Sequence, residues 1–263
     1  MRYLAIALSL VMCGVLSSCK DIQGETVEYS ADNVALKGYL AYDRSIKEKR
    51  PGILVVHEWW GHNEYARNRA RMLAELGYTA LAVDMYGDGK VARHPEEAGT
   101  FAKEIMQDMD LRKKRFMAAL NLLSQHRTVD PEQIATIGYC FGGSVVLHMA
   151  RDGLDLDGVV SFHGGLTTEE PAQPGMVQTK ILVCHGADDL FIPPDQVTLF
   201  REEMEKANAD FRIISYAGAT HSFTNPEADS YAEKFNLSVG YNEEADKKSW
   251  ADMKDFLRNI FKD

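Results

Sequence analysis

The chain has 263 residues, enough for one large domain and short for two. Its 45% hydrophobic and 26% charged residues are the proportions of an ordinary globular protein. The formal net charge of −10 argues against a nucleic-acid partner, which would need a basic footprint.

The chain opens on a segment that does not read as part of a fold. Met1 and Arg2 carry a positive charge, and Tyr3 to Leu16 is an almost uninterrupted apolar run, too short to span a bilayer as a mature helix. The run ends in Leu16-Ser17-Ser18-Cys19, followed by the charged Lys20 and Asp21. Residues 1–18 resemble a bacterial lipoprotein signal peptide. The resemblance implies that they are removed, that Cys19 becomes a lipidated first residue, and that residues 19–24 tether the rest to a membrane facing the periplasm. Lysine rather than aspartate after Cys19 leans, by the same resemblance, toward the outer membrane. An ordinary secretory signal that happens to contain a cysteine is the alternative. Of the four cysteines, Cys13 would leave with the signal and Cys19 would carry lipid, so Cys140 and Cys184 remain. A disulfide between them is conceivable in an oxidising compartment. Cys184, in the apolar run Ile181-Leu182-Val183-Cys184, reads instead as a small buried core residue.

From residue 25 to 263 the chain reads as one domain without repeats or low-complexity tracts. Thr26 to Tyr42 predicts two strands with Ala31-Asp32-Asn33 as the turn. The pattern then changes to strand–helix alternation. Ile53 to His57 is an apolar strand behind the Pro51-Gly52 break, and Asn63 to Leu76 is helical, stopped by Gly77. Thr79 to Val83 is the next strand, and Pro95 to Ser124 holds one long or broken helix. Ile134 to Ile137 is a strand and Gly142 to Arg151 a helix, followed by strands at Gly158 to Phe162 and Ile181 to Cys184. Pro194 to Ala207 is helical, Phe211 to Tyr216 a strand, and a last helix runs from about Glu243 to Phe261. Short apolar runs alternating with helices predict an α/β fold: a mostly parallel sheet with helices on both faces. Sites in such sheets form at the carboxyl ends of the strands, and every candidate below falls at such an end.

Gly138-Tyr139-Cys140-Phe141-Gly142 lies between a predicted strand and a predicted helix. It fits the G-x-S-x-G nucleophile elbow with cysteine in place of serine, which points to an α/β-hydrolase fold and to Cys140 as nucleophile. The glycines leave room for a sharp turn, and the helix N-terminus beside Cys140 favours a thiolate and an oxyanion. In this fold the chain order is nucleophile, acid, histidine. Four histidines follow Cys140: His148, His163, His185 and His221. His148 lies within the helix after the elbow. His221, in Gly218-Ala219-Thr220-His221-Ser222-Phe223 after the last strand, occupies the loop expected of the general base. The acid should follow the preceding strand, where Asp188 and Asp189 compete; the spacing of an acid, two variable residues, an aliphatic and Pro193 selects Asp189, leaving Asp188 to cap the turn. An oxyanion hole needs two main-chain N–H donors, for which the candidates are Phe141 and, in the loop after an early strand, Trp59.

These residues carry a wider resemblance. V-V-H-E-W-W-G (residues 55–61), A-V-D-M-Y-G (82–87), G-Y-C-F-G-G (138–143), D-L-F-I-P (189–193) and G-A-T-H-S-F (218–223) are similar, in order and spacing, to the dienelactone hydrolase family. The resemblance implies a single α/β-hydrolase domain, a Cys-His-Asp triad acting on small ester, lactone or thioester substrates, and no metal or organic cofactor. It also implies a glutamate that hydrogen-bonds the resting thiol; Glu58 stands at that position. Members that cleave dienelactone hold its carboxylate with arginines, one shortly after the histidine, and no arginine follows His221. Arg93 and Arg112 are the remaining candidates for such a charge. Trp59, Trp60, Tyr86, Phe141 and Phe223 suggest an aromatic substrate pocket. A membrane-tethered binding protein that keeps the fold with little turnover is the alternative function. A monomer is the expected oligomeric state.

Overall fold

A computed structural model describes residues 20–261. Cys13, the apolar leader and Cys19 lie outside the described residues. The described residues fold as eight strands and seven helices in the order β1 (Ile22–Ala31), β2 (Val34–Asp43), β3 (Arg50–Val56), α1 (Glu64–Glu75), β4 (Thr79–Val83), α2 (Pro95–Gln107), α3 (Met109–Ser124), β5 (Val129–Tyr139), α4 (Phe141–Arg151), β6 (Gly158–Phe162), β7 (Lys180–Gly186), α5 (Pro194–Lys206), β8 (Phe211–Tyr216), α6 (Ala228–Phe235) and α7 (Glu243–Ile260).

The strands form one sheet in the order β1-β2-β4-β3-β5-β6-β7-β8. β1 and β2 pair antiparallel, β2 runs antiparallel to β4, and every other neighbour is parallel. The β1–β2 hairpin closes on Asp32 and Asn33, both at positive φ (47° and 65°), the backbone of a two-residue turn whose twist matches its strands. β1 begins at Ile22, so Ile22, Gln23 and Gly24 belong to the sheet and not to the tether expected over residues 19–24.

Period-two alternation sorts the central strands between two cores. Leu54, Val56, Leu81 and Val83 face one side, where α3, α4 and α5 supply Phe116, Val145, Leu147, Phe200 and Met204. Ile53, Val55, Ala80 and Ala82 face the other, covered by Ala66, Ala70 and Leu73 of α1 and Met253 and Leu257 of α7. Both faces are therefore helix-covered, which is why these strands read as continuous apolar runs. The predicted helix from Pro95 to Ser124 is two helices. Asp108 breaks it by adopting extended angles (φ −111°, ψ 98°), and its side chain accepts the Leu111 N–H to cap α3. The eight-residue α6 had no periodic signal long enough to identify it.

One buried charge ties the two ends of the second core together. Arg69 of α1 donates from Nη2 to the Thr224 carbonyl and to Asp246 Oδ1 of α7, each at 2.6 Å, and its guanidinium lies over Tyr65, Tyr139 and Trp250. Its side chain is 4% exposed. Replacing it with methionine leaves Asp246 and the Thr224 carbonyl without their donor. Arg69→Met should lower the unfolding free energy by about 3 kcal/mol, read from urea denaturation.

Candidate active site

The turn from β5 into α4 carries Cys140 at φ 52° and ψ −117°, a region L-residues rarely occupy. The flanking glycines are a steric necessity. A Cβ on Gly138 would lie 2.1 Å from the Gly142 carbonyl oxygen, and one on Gly142 would lie 2.3 Å from that of Val56 in β3. The elbow is thus pressed against the neighbouring strand, and the Gly142 N–H donates to the His57 carbonyl at 3.1 Å.

The thiol faces His221. Nε2 of His221 is 3.1 Å from Cys140 Sγ, and Nδ1 is 2.8 Å from Asp189 Oδ2. Asp189, with a fully buried side chain, is fixed from behind by the Phe191 N–H on Oδ1 at 2.8 Å. Asp188 is exposed and contributes its main-chain N–H to the Ala219 carbonyl. Asp189, the aspartate that the spacing selects, is therefore the one on the imidazole. Burial works against a charge on His221, but the negative charge of Cys140 and the Asp189 hydrogen bond outweigh it and raise its pKa from 6.5 to about 10.

Two residues beside this pair offer main-chain N–H groups. Neither Phe141 N, the first residue of α4, nor Trp59 N has an acceptor among the described residues. The loop carrying Trp59 is braced. His57 donates from Nδ1 to the Glu58 carbonyl at 2.6 Å and accepts the Met85 N–H on Nε2, while the Tyr86 hydroxyl donates to the Trp59 carbonyl at 3.0 Å. Glu58 is buried. Its Oε2 accepts from Asn225 Nδ2 at 2.6 Å, and its Oε1 has no partner among the described residues. Burial holds its carboxyl above the usual range, against the opposing effect of Asn225, His221, Ser222 and Arg69. Glu58 and the thiol do not hydrogen-bond here: Asn225 holds the one and His221 the other.

A cavity of about 310 Å³ opens on Cys140 and His221. Trp59, Phe141, Phe191, Ile192, Leu237 and Val239 supply most of its wall, with Met106, Ala102, Ser144 and Gly165. Of the residues expected to form it, Trp59 and Phe141 line it. The others are corrected by packing. Trp60 is buried against Tyr231 and Phe235, Tyr86 lies behind the wall against His57, Phe101 and Phe141, and Phe223 is fully buried in the second core near Tyr216. Among the described residues, no arginine or lysine lines the cavity. Arg93 is exposed, and the buried Arg112 gives Nη1 to the Met106 carbonyl and borders a separate cavity with His148. Leu237 and Val239 reach the wall because the segment after α6 forms a bridge from Val239 to His221, a tertiary contact without local sequence signal. His163 was legible only as a histidine at the end of a strand; it touches the elbow from beneath. Among the described residues, no group of three or more His, Cys, Asp or Glu side chains is placed to hold a metal ion.

Comparison with known proteins fixes the family. The profile of the dienelactone hydrolase family matches residues 36–261. The chain belongs to the dienelactone hydrolase family. The crystal structure of a dienelactone hydrolase-like promiscuous phosphotriesterase from metagenomic libraries is 33% identical, with a TM-score of 0.86, covering 92% of this chain and 99% of that one. Protein Usf of Aquifex pyrophilus is 28% identical over 84% of this chain and 98% of its own length. A dienelactone hydrolase from Anabaena variabilis, 19% identical with a TM-score of 0.59 over 81% of this chain and 94% of that one, shares the fold. The α/β-hydrolase architecture expected from the sequence is the one observed, and the chain is a hydrolase of this family.

The raised His221 pKa has a consequence for stability. Folding favours the protonated ring, so the associated stabilisation is complete below about pH 6.5, falls as pH rises, and is gone above about pH 10. The difference in unfolding free energy between the wild type and His221→Gln should decline across that window in denaturant titrations.

Proposed function

We propose that this protein hydrolyses small, uncharged ester, lactone or thioester bonds through Cys140, His221 and Asp189. The observation that carries the reading is a Cys–His–Asp chain of hydrogen bonds, at 3.1 and 2.8 Å, on a pocket that no arginine or lysine lines among the described residues. The thiolate attacks the carbonyl carbon, and the oxyanion takes the Phe141 and Trp59 N–H groups. Collapse of the tetrahedral adduct breaks the acyl–oxygen (or acyl–sulfur) bond, and His221 gives its proton to the leaving group. A water, deprotonated by His221, then attacks the Cys140 thioester and releases the acid, returning the proton to the thiol–imidazole pair. Asp189 holds the ring orientation throughout. Glu58, with its free Oε1 and raised pKa, is proposed to act on the thiol by rotating away from Asn225.

The pocket supports neutral substrates. A substrate carboxylate entering an apolar wall would lose its hydration without a compensating partner, a cost of several kcal/mol. Cys140→Ala should abolish release of nitrophenol from 4-nitrophenyl acetate. The wild type should favour 4-nitrophenyl butyrate over the mono-4-nitrophenyl ester of succinic acid by at least about tenfold in kcat/KM. Undiminished turnover by Cys140→Ala would end the proposal. A wild type that alkylates slowly with iodoacetamide and turns over no ester would instead favour a binding protein on this fold.

We further propose that the chain is exported and anchored through lipid on Cys19, on the strength of the positive start, the short apolar run and the Leu-Ser-Ser-Cys segment. Labelled palmitate should be incorporated on expression in a bacterial cell envelope and lost in Cys19→Ala. Incorporation that survives this substitution would refute the anchor.

A further inference from the structure

His163 lies immediately after β6, 1% exposed and at φ 41°, a strained backbone for a side chain of its size. Its Nδ1 is 3.1 Å from the main-chain nitrogen of Cys140. That N–H also donates to the Phe162 carbonyl at 3.0 Å, so the proposed nucleophile is held from beneath by two acceptors. A main-chain N–H can only donate, so Nδ1 carries the lone pair and the ring proton is on Nε2. Nε2 is 2.8 Å from Thr224 Oγ1, which in turn lies 2.6 Å from the Tyr65 hydroxyl. Thr224 is itself fixed through its carbonyl by Arg69. The His163 ring stands edge-on to His221, with centroids 5.3 Å apart.

We propose that His163 is a positioning residue for the hydrolytic reaction: its unprotonated Nδ1 pins the Cys140 peptide in the elbow conformation, and its ring limits the swing of His221. The inference rests on the proposed role of Cys140. Three strained non-glycine residues meet at this point, Cys140 at φ 52°, His163 at 41° and Ser222 at 58°, and the hydrogen bonds to His163 are what the surroundings supply to hold the first of them. Protonation would aim an N–H at the Cys140 N–H and set a second cation beside His221. Burial, with the charges of His221 and Arg69, keeps the ring well below the ordinary histidine range, so it remains an acceptor while His221 is charged. A histidine buried only for packing would have no need of a defined tautomer. Here both ring nitrogens are committed, one to the nucleophile's main chain and the other to a chain of buried hydroxyls.

Two substitutions separate the role from mere bulk. Asparagine at 163 can place Oδ1 near the former Nδ1 and keep the acceptor; glutamine reaches the Nε2 position and loses it. With 4-nitrophenyl acetate, His163→Gln should lower kcat about thirtyfold with KM within about threefold, and slow alkylation of Cys140 by iodoacetamide at neutral pH about tenfold. His163→Asn should recover both to within about fivefold of the wild type. The proposal is overturned if folded His163→Gln keeps kcat and alkylation within about twofold, or if the asparagine variant is no better than the glutamine one. Should neither variant fold, Thr224→Val leaves His163 in place and removes its Nε2 partner. A roughly fivefold loss of kcat at constant KM is then expected, and unchanged kcat and alkylation overturn the proposal. Cys140→Ala run beside them keeps the two readings apart: an active Cys140→Ala refutes the nucleophile, whereas an inactive one beside an unaffected His163→Gln refutes only the positioning role.

Discussion

Cys140 occupies a left-handed, strained main-chain conformation, and the architecture around it exists to make that conformation tolerable. The strand before it and the helix after it approach β3 so closely that the Val56 carbonyl oxygen lies where a Cβ on Gly142 would need to be. The buried hydrogen bonds of the Cys140 and Gly142 N–H groups offset part of the strain. A sheet with both faces covered is what gives this turn a rigid support: the elbow cannot relax without pulling a central strand out of two cores at once.

The parts of the site written in local pattern were legible in the sequence. Gly138, Cys140 and Gly142 announce a turn because the glycines have a steric reason that does not depend on the rest of the chain. His221 and Asp189 follow from order along the chain, since each stands at the carboxyl end of a parallel strand. The strands themselves were legible because burial on both faces makes them apolar throughout. What stayed hidden depends on contacts between distant segments. The pocket wall was misjudged at Trp60, Tyr86 and Phe223 because aromatic residues mark cores as readily as cavities, and only packing decides between them. Leu237 and Val239 were invisible for the complementary reason: they join the wall through a bridge to His221 that no periodicity encodes. The start of β1 at Ile22 was missed because an edge strand with alternating exposed residues looks like a polar linker.

The chemistry proposed for the site depends on contrast. The proposed nucleophile and base, and two N–H groups without an acceptor among the described residues, belong to a site with an apolar wall, so little else competes for charge that develops on a substrate oxygen. In such a setting the same wall that strengthens the reactive pair excludes a substrate bearing its own charge. On the proposed chemistry, the apolar lining decides which members of the ester class are accepted. Glu58 is the exception to the contrast. It is buried, has one unsatisfied oxygen, and is restrained by a single strong hydrogen bond from Asn225.

The contact between Arg69 and Asp246 spans 177 residues. It joins a helix formed early in the chain to α7, and through the Thr224 carbonyl it reaches the loop that presents His221. During synthesis the elbow, its strand and the first helix can assemble while α7 is still being made, but the floor beneath the histidine loop cannot. Cys140 is therefore made before both His221 and the Arg69–Asp246 clamp behind the histidine loop, and the hydrogen-bonded site closes only when nearly all of the described chain has been synthesised.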